Sequence, residues 1–266
     1  MYFIRFTMKE GIKGQITVFI IAALMIIVII ALFLIFMTNQ GPDIFGNREV
    51  NPNSFLTTCL EEELKNVISI ISEQGGYINP ESNIMFQFDG EPYREIGYLC
   101  YSEFPQKTCT IQEGNLIGHL KDEIKDEIKD DIYSCFIDLG RTKTEEGYLV
   151  DASHTEGDFE IDLSRDKISF DIEGRITLTK SGQTSRIEDF KINFPTKLYD
   201  LAVTANNVLS DVAINNCAFD NLYYVTPKIL VVPLEVTIDK DFISFYTITN
   251  KDTKERFRFA IKNCVG

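Results

Sequence analysis

Asp158-Phe159-Glu160-Ile161-Asp162-Leu163-Ser164-Arg165-Asp166-Lys167-Ile168-Ser169-Phe170-Asp171-Ile172 decides the fold. Phe159, Ile161 and Leu163 alternate with Asp158, Glu160 and Asp162, a period of two that belongs to a half-buried strand. Ser164-Arg165-Asp166 reads as a turn, and Ile168, Phe170, Ile172, Ile176 and Leu178 resume the alternation. Ser181-Gly182 turns the chain again, Phe190, Ile192 and Phe194 mark a third strand, and Pro195 ends it. One apolar and one charged face predict an antiparallel meander with one side wet.

Upstream of this stretch the period changes to that of a helix. Leu56, Leu60, Leu64, Val67, Ile68 and Ile71 recur at three and four, predicting a helix over 54–74. Pro52-Asn53-Ser54 reads as its cap, and Gly75-Gly76 stops it, because the left-handed residue after a helix is usually glycine. Residues 77–113 read as irregular with short strands, punctuated by Gly90, Pro92 and Pro105. A second helix is expected from about Asn115 to Leu139, with Leu116, Leu120, Ile124, Ile128, Ile132, Phe136 and Leu139 as its stripe. Its four-residue repeat from Lys121 to Ile132 lets Asp122 meet Lys125 and Asp126 meet Lys129. Such a run reads as a solvated face, the other use being a dock for a basic partner.

Downstream, a third helix over 196–214 turns Leu198, Leu201, Ala205, Val208, Leu209 and Val212 inward. Residues 228–238, 242–249 and 255–263 predict three more strands, with Pro233 marking an edge or a bulge. The fold class is α+β, about three helices packed on antiparallel sheet over residues 54–266, with a subdivision near 140–146 also considered.

The N-terminus is of another kind. No charge occurs from Ile16 to Met37. As a helix this run spans roughly 33 Å, against a hydrocarbon core of about 30 Å. We therefore expect a transmembrane helix over 15–37, contact with a lipid bilayer through Ile16–Met37, and a linker over 38–53 holding Gly41, Pro42, Gly46 and Pro52. Arg5, Lys9 and Lys13 in the basic segment 1–14 place that end in the cytoplasm, and the remainder outside. The chain carries 26 basic and 40 acidic residues, a net −14. A chain so acidic is a poor nucleic-acid binder, since neutralising phosphates needs Lys and Arg.

Lys13-Gly14-Gln15 followed by Ile16-Thr17-Val18-Phe19-Ile20-Ile21 resembles the class III signal of archaeal type IV pilins and archaellins. The resemblance implies cutting by a prepilin-type peptidase between Gly14 and Gln15, with Phe19 where many pilins carry Glu; an uncleaved signal anchor is the other reading. Phe55-Leu56-Thr57-Thr58-Cys59-Leu60, the helix closing on Gln74-Gly75-Gly76-Tyr77-Ile78, Tyr133-Ser134-Cys135 and Phe257-Arg258-Phe259-Ala260-Ile261-Lys262 resemble a family of membrane-anchored proteins from small-genome archaea of the DPANN group. No biochemical activity comes with that resemblance.

Six cysteines follow the apolar run: Cys59, Cys100, Cys109, Cys135, Cys217 and Cys264. An even set reads as disulfides; free buried thiols and metal ligation are the alternatives, the latter lacking a C-x-x-C pair or nearby His. Cys100 and Cys109 flank a loop and form the natural local pair. Cys59 and Cys135 fall on two helices that they could staple, which leaves Cys217 for Cys264.

Catalysis finds little support. His119 and His154 are the two histidines, and both read as exposed polar residues, the second in a loop beside Ser153. No nucleophile elbow, zinc helix or phosphate loop occurs. Asp239, Asp241, Asn250 and Asp252 fall at turns, where turn propensity explains them better than calcium. No cofactor or metal ligand set is expected. The reading is a membrane-anchored extracytoplasmic structural or interaction protein of an archaeal cell surface and not an enzyme; the alternative is a membrane-tethered enzyme that hydrolyses glycans with paired carboxylates.

Overall fold

Helix α1 (Pro52–Glu73) begins where Asn51 accepts hydrogen bonds from the amides of Asn53 and Ser54, and Pro52 occupies the first turn, where no amide is needed. The cap is thus Asn51, and residues 52–53 of the expected linker are helical. The computed structural model describes residue 21, residues 23–30, 51–218 and 226–265, with the backbone alone at 153–158. Strands β1 (Asn83–Phe86), β2 (Arg94–Gln106) and β3 (Thr110–Ile111) follow, then α2 (Leu116–Glu145). The meander is β4 (Leu149–Ser164), β5 (Lys167–Lys180) and β6 (Gln183–Pro195). After α3 (Leu198–Ile214) come β7 (Ile229–Ile238), β8 (Asp241–Asn250) and β9 (Arg256–Cys264).

Two sheets form. The meander pairs β4–β5–β6 antiparallel, with Phe159 opposite Ile172 and Ile172 opposite Phe190, so the three apolar rows coincide. The other sheet has the order β1–β2–β9–β8–β7, with β3 on β2. Here β2 and β9 run parallel, so this sheet is mixed and not antiparallel throughout. A parallel partner far along the chain leaves no hairpin signal to read. Pro233 lies on β7, which among the described residues pairs with β8 alone and forms an edge of this sheet.

The three helices bury Leu56, Leu60, Leu64, Val67 and Ile71 from α1, the α2 stripe from Leu116 to Leu139, and Leu198 to Val212 from α3. These side chains share one core with both sheets; α1 touches both β6 of one sheet and β9 of the other. A smaller core of Ile96, Tyr98, Ile243, Phe245 and Ala260 lies on the mixed sheet, where Phe86 stacks on Phe245 with centroids 4.1 Å apart. Helices packed on a mixed sheet make the domain α+β, and residues Val50–Gly266 form one compact unit.

Two other expectations change. Residues 94–106 are one strand, because the run Ile96 to Cys100 is buried throughout and shows no alternation. Helix α2 runs through Gly140 to Glu145. Its last turn holds the fully buried Lys143, whose ammonium meets Glu146 at 2.8 Å. Among the described residues no helix is long and apolar enough to cross a membrane. Of the expected span only residue 21 and residues 23–30 are described, and they are helical. The transmembrane helix, the bilayer contact through Ile16–Met37, the single-pass topology and the outward placement are therefore withdrawn. The anchored surface protein and the membrane-tethered hydrolase fall with them. Lys13, Gly14, Gln15 and the rest of segments 1–20 and 31–50 lie outside the described residues.

Helix α1 ends against β2 at an unusually close backbone approach. Gly76 donates to the carbonyl of Ile71 at 2.7 Å, while Gly75 takes φ +76°. Gly97 donates to the carbonyl of Gln74, and a Cβ on Gly97 would lie 2.7 Å from that oxygen. Gly97→Ala is expected to cost about 1–3 kcal/mol by forcing backbone apart, seen as a lower melting temperature in thermal denaturation.

Disulfides join Cys59 to Cys135, Cys100 to Cys109 and Cys217 to Cys264. The first ties α1 to α2 and closes 76 residues of chain; in the chain-entropy model that contributes roughly 4 kcal/mol. Treatment with a reductant is expected to lower the melting temperature clearly. Retention of the oxidised midpoint after full reduction would show that the bonds add nothing to stability.

Candidate functional site

The turn that follows Gly75-Gly76 carries Tyr77 away from α1 and across the start of α2. Its phenol donates to Glu113 Oε1 at 3.0 Å, and the next amide, that of Ile78, donates to Glu123 Oε2 at 2.8 Å. Asn115 caps α2 by accepting from the Gly118 amide, which sets the first turn so that the His119 ring packs at a tilt against Tyr77 with centroids 4.4 Å apart. Its Nδ1 lies 3.9 Å from Glu113 Oε1 and its Nε2 3.9 Å from Glu123 Oε1. The imidazole is 16 % exposed, so His119 is largely buried and not the exposed residue its polar neighbours suggested. It lies one turn beyond Leu116 and beside Leu120, both fully buried, which was the available signal.

Tyr77, Glu113 and Glu123 wall a cleft of about 380 Å³ together with Pro80, Glu81, Tyr98 and Gln112, and His119 lies behind Tyr77. Three carboxylates and two phenol rings face it, and no basic side chain among the described residues lines it. Burial, the hydrogen bond to Glu113 and the charges of Glu113, Glu123 and Glu81 push the Tyr77 phenol well above its usual range. Burial and Asp241 push the Tyr98 phenol up to about 12. Both rings stay neutral, chiefly because they are buried, and the carboxylates beside Tyr77 attract cations. Lys262 shows the same chemistry within the protein: its ammonium lies 6.0 Å from the Tyr98 ring and 5.5 Å from the Tyr101 ring and pairs with Asp241 at 2.7 Å.

A second cleft lies between α1, residues 195–196 and the β8–β9 hairpin, but its charges are already matched. Lys65 pairs with Glu61, Lys254 donates to the Lys251 carbonyl, and Glu255 accepts from Thr196 Oγ1 and the Lys197 amide. Behind it Glu73 and Glu91 alternate with Arg256 and Arg258 at 2.6–2.9 Å, and the Arg258 guanidinium stacks 4.0 Å from the Phe88 ring. This quartet locks α1, the β1–β2 turn and β9 together.

His154 and Ser153 belong to strand β4 and not to a loop; the backbone of His154 lies opposite Gly174. A register shift between His154 and Phe159 breaks the alternation there, which hid the strand. Asn250 accepts from the amides of Asp252 and Thr253 in a local turn, and Asp241 pairs with Lys262 and Asn263. Among the described residues no group of three or more His, Cys, Asp or Glu is placed to hold a metal ion. Comparison with protein-family models, with curated proteins and with solved structures finds no match to this chain.

Hydrogen bonding from Arg258 holds the Glu91 carboxyl down at about 2, against an ordinary value of 4.5. A depressed carboxylate stabilises the fold above the unfolded value, and that contribution is lost as pH falls from about 4.5 toward about 2. Melting temperatures are expected to drop across that window. Arg258→Ala, which leaves Glu73 buried beside a single guanidinium, is expected to cost about 3–5 kcal/mol in denaturant unfolding and to flatten the acid dependence.

Proposed function

We propose that residues 50–266 are a non-catalytic recognition module that binds a cationic group, the ammonium or guanidinium of a basic peptide, in the Tyr77 cleft. The observation that carries this reading is the lining: Glu81, Glu113 and Glu123 around the rings of Tyr77 and Tyr98, with no cation among the described lining residues to neutralise them. Carboxylates supply the charge and phenol rings supply a polarisable wall, the combination that recognises alkylammonium groups. The net charge of −14 steers cations toward the protein at long range. The carboxylates around Tyr77 are already held by neighbouring donors, the Tyr77 hydroxyl and the Ile78 amide, so the cleft is shaped before a ligand arrives. Six cysteines joined in three pairs fit work in an oxidising milieu.

Isothermal titration calorimetry with Nα-acetyl-lysinamide on the oxidised full-length protein tests the reading. Binding is expected, weakening as salt rises, with none for the uncharged norleucine analogue. Glu81→Gln, at an exposed position of the rim, is expected to weaken it about threefold to tenfold, the scale of one partly screened charge. Equal binding of the charged and uncharged analogues would remove the electrostatic basis of the proposal.

A further inference from the structure

His119 stands behind the cleft, beside two of the three carboxylates that give it its charge. One ring nitrogen faces Glu113 and the other faces Glu123, each at 3.9 Å. Nε2 is buried and makes no hydrogen bond. The ring packs at a tilt against Tyr77. From the turn the facing titratable groups are Tyr77 and, through it, Glu81; from the β3–α2 connection, Glu113; from α2 itself, Glu123. All of these are acidic. Resting on the cationic-ligand reading of the cleft, we propose that His119 is a pH-responsive gate, whose protonation neutralises Glu113 and Glu123 from within and releases the bound cation.

A neutral imidazole has one N–H and one lone pair, so at most one of the two carboxylates has a donor to face. The other then faces a lone pair, and its charge is turned toward the cleft. An imidazolium has a donor for each carboxylate and closes the pair across α2. Its positive charge then sits behind Tyr77, and a cationic ligand entering the cleft meets a like charge and two carboxylates already occupied. Histidine is the side chain whose charge ordinarily changes between about pH 5 and 8, and carboxylates in water titrate below that range. The sign follows: as pH falls through the histidine range the ligand is lost, and by linkage a bound cation disfavours the protonated ring.

The test is calorimetric titration of the oxidised full-length protein with Nα-acetyl-lysinamide at about pH 7.5 and about pH 5.5, at constant ionic strength. The unmodified protein is expected to bind about tenfold more weakly at the lower pH, and His119→Gln to change by less than about twofold. Proton NMR of the unmodified protein gives a second reading that needs no variant: saturating ligand is expected to move the midpoint of the His119 ring signals to lower pH and to leave those of His154 in place. Binding that is independent of pH, or that weakens equally in His119→Gln, would refute the gate while the binding reading stands. Binding at neither pH would remove the cationic-ligand reading and the gate with it.

Discussion

The contact on which the rest depends is the meeting of two glycine-bearing backbones where α1 ends on β2. Gly75 takes the left-handed conformation that stops the helix, and Gly97 lies so close to the Gln74 carbonyl that a side chain there would displace it. Neither residue has a functional group, yet together they set the direction in which the chain leaves α1. That direction carries Tyr77 over α2, puts the Ile78 amide on Glu123 and brings the phenol to Glu113. The cleft is a consequence of how tightly a helix can end against a strand.

Electrostatics does two different jobs in this domain. At the quartet of Glu73, Glu91, Arg256 and Arg258, charge is matched inside the protein, and four side chains from three elements are fixed in one arrangement. Such a cluster costs desolvation and returns geometry, since each group left without its partner would be expensive. At the Tyr77 cleft three carboxylates face no lysine or arginine among the described lining residues, and burial followed by Glu113 pushes the Tyr77 phenol upward. The first arrangement holds the domain together, and the second leaves an attraction that a ligand can satisfy. Asp131 is a milder case of the second kind: burial and the nearby charges of Glu63 and Asp130 push its carboxyl upward on the face shared by α1 and α2.

Much of the fold was legible in the chain because it rests on local periodicity. The meander alternates over most of its length, and its turns carry the residues expected of turns; at Ser181-Gly182 both residues take positive φ. The three helices show stripes at three and four. Legibility failed where burial removed the period. Ile96 to Cys100 is apolar on both faces and reads as no particular element. It failed also at the last turn of α2, where the buried Lys143 pairs with Glu146, and where the apolar run at the N-terminus suggested a span that the described residues do not contain. Of the cleft, Tyr77 was visible only as the residue after a helix stop, and His119 as a polar residue in a charged helix.

By itself the sequence determined the strands and helices whose faces differ, the acidic charge, and an even set of cysteines, because these depend on neighbours a few residues apart. Tertiary structure alone decided the parallel pairing of β2 with β9, the partners of Glu73 and Glu91, and the grouping of Tyr77, Tyr98, Glu113, His119 and Glu123. Those residues lie on a turn, a strand, a connection and a helix, and no period relates them. They meet because α1 stops at two glycines against a third, a steric event whose outcome depends on both backbones at once.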